Sequence, residues 1–442
     1  MNEAESYTAE NGLPIRSSLA QKASRLFVGD TTTWVILLGL MIGSTVVVFS
    51  AISQEAFAAE MYGKAFYGEF LKHLILIIAS FVLVSMMARV PTRYYRWLSY
   101  PMLGLAILML IWTLVGGTEL NEGKRWVQIG GFSLQPSEYA KVAIVNYVAA
   151  RLREGNGAYA SLRTFLKIWL PVGVVVGLII FENISTAAFI IAIVYMMCFI
   201  GGANSKWMAY LVGIALVLLL AFVGARTLMP SKTEIGRSAT GQNRIARFID
   251  KAFSPIDENT YDDIMGMDYQ VVSAQKAIAN SGVTGVGAGQ SELRQFLPAA
   301  FSDYIYNVVV EEYGLPGSLF LIFMYIMFFW RCGQLARQTR SMYKTVLLMG
   351  VGLLITSQAV MNMMVAANML PVTGQTLPFI SKGGSSYLFM SMLFGMALSV
   401  SREIKEATLR RDAEASGIEG MPEVELEHIP EMDDPESSYD EL

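Results

Sequence analysis

Ionisable side chains that interrupt apolar sequence are read first, because a charge held at membrane depth costs about 2.5–3.5 kcal/mol on insertion scales. The stretch FSDYIYN sets Asp303 among Phe301, Tyr304 and Tyr306, after Pro298 and ahead of an apolar run. Three roles are open to that carboxylate: an N-terminal helix cap worth about 0.5–2 kcal/mol, a buried partner for arginines, or a general base. A cap alone would be content with the adjacent Ser302. Aromatic neighbours disfavour the charged carboxylate and cations favour it, the opposed influences through which bases are tuned.

Further groups could serve such a base. In QPSEYAKV, Pro136 can start a helix and Glu138 and Lys141, three apart, share a face. They form either a neutralised pair that fixes helix position or a lysine lent to an anionic substrate. GKRWVQIG places Lys124, Arg125 and Trp126 at an interface, as anchors or as head-group contacts. NRIARFIDKAF spaces Arg244, Arg247 and Lys251 along one face of a short helix. SGVTGVGAGQS carries Gly282, Gly285, Gly287 and Gly289; no helix with a Lys-Ser/Thr start follows, so a flexible turn is favoured over a phosphate cradle. Snorkelling accounts for Lys72 and His73, and Glu182, Asn183, Ser185 and Thr186 read as a polar turn.

The elements that must hold these groups are membrane helices. Hydrophobic residues make up 54% of the 442 residues and charged ones 16%, against about 45–50% and 25% in soluble domains. Ten apolar runs approach the length needed for a hydrocarbon core of about 30 Å: 32–54, 69–88, 98–116, 137–152, 165–182, 185–201, 207–228, 304–330, 345–366 and 385–400, the fourth and sixth short and polar. The expected fold is all-α, with ten transmembrane helices and a large extracytoplasmic loop, 229–303, between helices seven and eight. Polar sequence precedes the first run, so that run reads as a retained span and not as a removable signal.

With the N-terminus inside, the inner segments collect Lys22, Arg25, Arg89, Arg93, Arg96, Arg151, Arg153, Arg331, Arg337, Arg340, Lys344, Arg402 and Lys405. Both termini then lie inside, and 51–68, 117–136, 229–303 and 367–384 outside. The domains read as an N-terminal cytoplasmic segment, 1–31, a membrane domain, 32–405, and an acidic tail, 406–442. From Asp412 on, the tail holds twelve acids and no Lys or Arg, the composition of a disordered extension or a docking segment. Without those twelve, 33 basic and 25 acidic residues remain, so a basic body underlies a chain of net charge −4.

Two histidines, His73 and His428, leave no His-based metal site or triad. Cys198 and Cys332 fall near the inner face, and no disulfide is expected. No internal repeat of the transporter kind stands out. A carboxylate base, a cationic surface and a lipid-facing wall on one face suit a phosphate-bearing lipid. The base could deprotonate a sugar hydroxyl while cations hold an anionic leaving group, as glycosyl transfer from a lipid diphosphate requires. A lipid flippase and a scaffold are the rival classes.

Three stretches then resemble the bacterial SEDS family, which includes FtsW and RodA: GKRWVQIGGFSLQPSEYAK at 123–141, GVGAGQSELRQFLPAAFSDYIYNVVVEEYG at 285–314 and LPVTGQTLPFISKGGSS at 370–386. The resemblance implies a ten-helix, inverting peptidoglycan glycosyltransferase of the cell membrane that polymerises lipid II at its outer face. It implies a class B penicillin-binding transpeptidase, divisome regulatory proteins and membrane lipids as partners, and no nucleic acid. It places Asp303 as the catalytic residue, and Arg125, Trp126, Glu138, Lys141, Arg244, Gly383, Gly384 and Ser385 on motif positions for substrate binding. Arg247 extends the Arg244 stripe, and Lys382 adds a cation where relatives carry tyrosine. No cofactor is certain; a divalent cation, Mg or Mn, is possible for diphosphate chemistry.

The chain departs from the family pattern in places. The Leu-Pro-Glu-x-His-Thr before the family's aspartate is here Leu297, Pro298, Ala299, Ala300, Phe301, Ser302, so no histidine tunes Asp303. FENISTA stands where many members have Pro-Asp-Leu-Gly-Thr, and no role transfers to Glu182 or Asn183. The glycine pattern at Gly285–Ser291 and the acidic tail look more like FtsW than RodA, which implies septal synthesis in cell division over side-wall elongation.

Overall fold

A computed structural model describes residues 27–61, 67–120, 123–129, 132–153, 162–214, 217, 267–291, 304–371 and 373–415. In chain order the elements are α1 (Thr31–Met61), α2 (Tyr67–Met87), α3 (Thr92–Trp97), α4 (Ser99–Gly116), β1 (Thr118–Leu120), β2 (Gly123–Ile129), β3 (Phe132–Leu134), α5 (Pro136–Arg153), α6 (Leu162–Ile180), α7 (Ile184–Ile200), α8 (Met267–Asn280), α9 (Ile305–Ala336), α10 (Met342–Ala366) and α11 (Gly384–Ala415). Among the described residues, α1, α2, α4, α9, α10 and α11 contain stretches long and apolar enough to cross a membrane; α6 and α7 are apolar but shorter. The protein is a helical membrane protein. Of the seventh expected span, 207–228, residues 207–214 are helical and most of the remainder lies outside the described residues.

The helical class expected from sequence holds, with one small sheet added to it. A three-stranded antiparallel sheet, order β1-β2-β3, occupies the loop between α4 and α5. Ile129 pairs with Phe132 across Gly130-Gly131, a pair that two-residue hairpins favour. Apolar residues at Trp126 and Phe132 made this segment hard to separate from an interfacial loop by hydropathy.

The middle of the bundle is α5, buried at every position from Pro136 to Ala150. It packs against α4, α6, α7, α10 and α11, which shield it from lipid and let it carry buried polar groups. Asn146 shows how these are satisfied: its Nδ2 donates to the Tyr95 carbonyl (2.7 Å), and its Oδ1 accepts from the Tyr343 hydroxyl (2.7 Å).

Long helices keep their two ends chemically distinct. At one end Asp30 precedes α1, accepts from the Thr33 N–H and hydroxyl (2.8 Å each) and pairs with Arg331 near the end of α9 (3.0 Å from Nε). Burial pushes the Asp30 carboxyl up, but Arg331 and Thr33 outweigh it and hold the group below its ordinary 3.8. At the same end Glu403 of α11 accepts from the Thr92 N–H (2.6 Å) and hydroxyl (2.7 Å) and pairs with Lys344 of α10 (3.1 Å).

The opposite end is built around a break in α9. Gly314 sits at φ 59°, ψ −148°, outside helical geometry, and Pro316 follows two residues later. Pro316 has no N–H for the Glu312 carbonyl, so the helix ladder loses a bond there. The glycine loop supplies replacements: Gly287 N–H donates to the Glu312 carbonyl (3.1 Å), Val286 N–H to the Glu311 carbonyl (2.9 Å), and Leu315 N–H to the Val283 carbonyl (2.9 Å). A Cβ at Gly285 would lie 2.4 Å from the Glu312 oxygen, and one at Gly314 2.4 Å from the Val283 oxygen, so both positions require glycine. The expected flexible turn is thus an ordered loop docked on a broken helix. The stretch 229–303, expected as loop, also contains α8, whose Ala274 and Ala277 pack on Tyr304 and Val308.

Candidate active site

The expected base and much of its cationic surround fall outside the described residues: Asp303, Arg244 and Arg247 lie there, as does the side chain of Arg125, whose backbone runs in β2. Trp126, also in β2, is half-buried. Helix α9 begins two residues after Asp303, with Tyr304 at its cap position and no capping bond from the Tyr304 side chain.

Glu138 and Lys141 are joined, as their spacing suggested. Lys141 Nζ lies 2.8 Å from Glu138 Oε1, and the two side chains are 0% and 3% exposed. The same Nζ donates to Gln358 Oε1 (2.6 Å) on α10 and to Gln375 Oε1 (3.1 Å), so three acceptors meet its three donors. Gln375 Nε2 passes the chain on to the Thr186 hydroxyl (2.6 Å), and Gln358 Nε2 to the Thr376 carbonyl (3.0 Å). Gln358 and Gln375 carried no signal in sequence, being neutral residues over two hundred positions from the lysine they bind.

The Gly383, Gly384, Ser385 run meets this network where α11 begins. Ser385 Oγ accepts from the Gln135 N–H (3.1 Å), and the neighbouring Ser386 hydroxyl donates to Glu138 Oε2 (3.1 Å). Two motifs about 250 residues apart therefore share one junction, the starts of α5 and α11. Lys382 is half-buried at its edge. Just before it, Phe379 adopts φ 60°, a strained value for a side-chain-bearing residue, and packs edge-on against Tyr387 and Phe394.

His73 does not snorkel. It is 3% exposed, and its Nε2 lies 3.1 Å from the Ser44 hydroxyl, which donates to the Ile380 carbonyl (3.2 Å). Lys72 beside it is exposed. Asn183 in the polar turn caps α7, accepting from Ser185 and Thr186 N–H (3.0 and 3.2 Å) and donating to the Thr373 carbonyl (3.0 Å).

Sequence reasoning passed over Glu311 and Glu312, 2% and 1% exposed. Both Glu312 carboxylate oxygens lie near the Ser50 hydroxyl of α1 (2.6 and 2.7 Å), and Glu311 accepts from the Ser291 hydroxyl. The rule that flagged Asp303, a charge inside apolar sequence, would have flagged these as well. Between α1, the glycine loop and the break in α9 runs a largely apolar groove of about 580 Å³, lined by Gly43, Val47, Ala288, Val309, Phe320 and Ile380 among others, with Glu312 at its wall. Among the described residues no three His, Cys, Asp or Glu side chains converge as a metal site.

A protein-family model of cell cycle proteins, FtsW/RodA/SpoVE, matches residues 30–406. The chain belongs to the FtsW/RodA/SpoVE family. Within it, the chain is 31% identical to a probable peptidoglycan glycosyltransferase FtsW of Thioalkalivibrio sulfidiphilus, over 93% of this chain and 98% of that protein. It is 28% identical to stage V sporulation protein E of Bacillus subtilis, over 74% and 86%. Solved structures share the FtsW/RodA/SpoVE fold: one from a peptidoglycan synthase complex that coordinates polymerization and crosslinking (TM-score 0.67, 24% identity, 85% of this chain and 98% of that one), and RodA of Thermus thermophilus (0.59, 21%, 85% and 97%).

Proposed function

We propose that the chain is an inverting peptidoglycan glycosyltransferase that polymerises lipid II at the outer face of the cytoplasmic membrane, for septal wall synthesis. The observation that carries the activity is similarity over most of the chain to relatives named for it, at about 30% identity. The placement of Asp303 immediately before the ordered, loop-braced start of α9 supports its role as base. In this reading Asp303 takes the proton from the acceptor sugar's 4-hydroxyl as that oxygen attacks the donor's anomeric carbon. The carbon–oxygen bond to the lipid diphosphate breaks, undecaprenyl diphosphate leaves and the anomeric centre inverts.

Arg125, Arg244, Arg247 and Lys382 would face the diphosphate, with Trp126 at the interface and Gly383 and Gly384 opening backbone to the substrate. The three saturated donors of Lys141 make it, with Glu138 and Ser385, a holder of the α5–α11 junction behind that surface. The apolar groove suits a hydrocarbon chain. A divalent cation, if bound, would supply charge stabilisation to the leaving diphosphate.

Ten spans with both termini inside, the loop 229–303 outside, the segment 1–31 and the tail 406–442 cytoplasmic, complete the topology. Its support is that Asp30, Arg331, Lys344 and Glu403 gather at one end of the bundle, and Ser50, Glu312 and Gly384 at the other. A class B penicillin-binding transpeptidase and divisome proteins are the partners this role calls for. Proteoliposomes given labelled lipid II distinguish the transferase from a flippase. Glycan strands are the expected product; transbilayer movement of lipid II with no glycan would overturn the reading.

A further inference from the structure

We propose that Glu311 and Glu312 are positioning residues for glycosyl transfer, clamping the glycine loop to the broken helix so that the ends flanking the Asp303 segment are fixed on one short piece of α9. The proposal rests on Asp303 being the base.

Each glutamate grips the loop twice. Through their carbonyls, Glu311 takes the Val286 N–H (2.9 Å) and Glu312 the Gly287 N–H (3.1 Å). Through their carboxylates, Glu311 accepts from the Ser291 hydroxyl, and Glu312 accepts from Ser50, whose Oγ accepts in turn from the Gly289 N–H (3.0 Å). Four positions of the loop, 286, 287, 289 and 291, are thereby referred to two adjacent residues. Ser291 is the last described residue before 292–303, and Tyr304 the first after it. Tyr304 is itself locked: it is 1% exposed against Ala274 and Ala277 of α8. Both stems of the segment that carries Asp303 are thus tied to α9 residues 304–312.

As acceptors, the two carboxylates orient the hydroxyls of Ser291 on the loop and Ser50 on α1. Glu312 also walls the apolar groove together with Gly287. Small displacements of a catalytic group cost turnover more than binding, so loosening this clamp acts on kcat.

The test is lipid II polymerisation by purified full-length protein, following turnover and half-saturating lipid II separately. Glu312→Ala is expected to lower turnover at saturation by about tenfold or more, with half-saturation shifted by less than about twofold. Glu312→Gln should recover most of that loss, because its carbonyl oxygen still accepts from Ser50. Ser50→Ala and Ser291→Ala, which remove one hydroxyl each, should lose turnover by about threefold.

Wild-type turnover in Glu312→Ala, a loss confined to half-saturation, or a glutamine variant no better than alanine would each overturn the proposal. Should Glu312→Ala fail to fold, wild-type turnover in Ser50→Ala overturns it instead. Asp303→Asn run in parallel separates the two readings. Full activity there removes the base assignment, while the Glu312 and Ser50 kinetics still decide the clamp.

Discussion

At the scale of single residues, the decisive fact is where charges end up. Lys141 and Glu138 were legible as a pair from their spacing, and the pair stands. The partners that exhaust the lysine's donors, Gln358 and Gln375, are neutral, distant in sequence and brought in only by packing, which no local pattern records. Lys141→Met leaves Glu138 buried without its countercharge, and such a break costs about 3–5 kcal/mol. A large drop in melting temperature of the detergent-solubilised protein is expected, with the double variant Glu138→Gln/Lys141→Met recovering much of it. Asp30 gives a pH-dependent counterpart. Its folded carboxyl is held below 3.8, so the Asp30–Arg331 contribution is present above that value and is lost as pH falls through the folded pKa. Asp30→Asn should therefore lower the melting temperature at neutral pH, with the gap from wild type closing in strongly acidic solution.

At the scale of elements, hydropathy found the helices and missed what interrupts them. The apolar run expected at 304–330 is α9, but it is two helical pieces joined at Gly314. The cue was present as Gly314-Leu315-Pro316-Gly317, and it was hidden because averaging over a span discounts single residues. The β2–β3 pairing escaped for the same reason. How the broken ladder is repaired was not legible at all, since the donors Val286 and Gly287 belong to a separate loop upstream of α9. Gly314→Ala forces a Cβ against the Val283 carbonyl at a backbone angle alanine rarely adopts, a strain of about 1–3 kcal/mol before the clash is counted. Thermal melting should show the loss, and lipid II polymerisation should fall with it, because the same break holds the glycine loop.

At the scale of the whole molecule, a buried central helix is wrapped by the others, with one end tied by ion pairs and the other assembled from loops. Composition and charge placement made the membrane class readable. The junction of α5 with α11 was not, because it joins segments some 250 residues apart. Motif resemblance alone had placed those two segments in one site, and the fold brings them into contact. The central claim is that this scaffold presents Asp303 as the base of glycosyl transfer. It is tested most directly by lipid II polymerisation with purified wild-type and Asp303→Asn proteins of matched melting temperature. The account predicts glycan strands from the wild type and a loss of about a hundredfold or more in the variant, the scale of a removed general base. Asp303→Asn protein that makes glycan at the wild-type rate would contradict it.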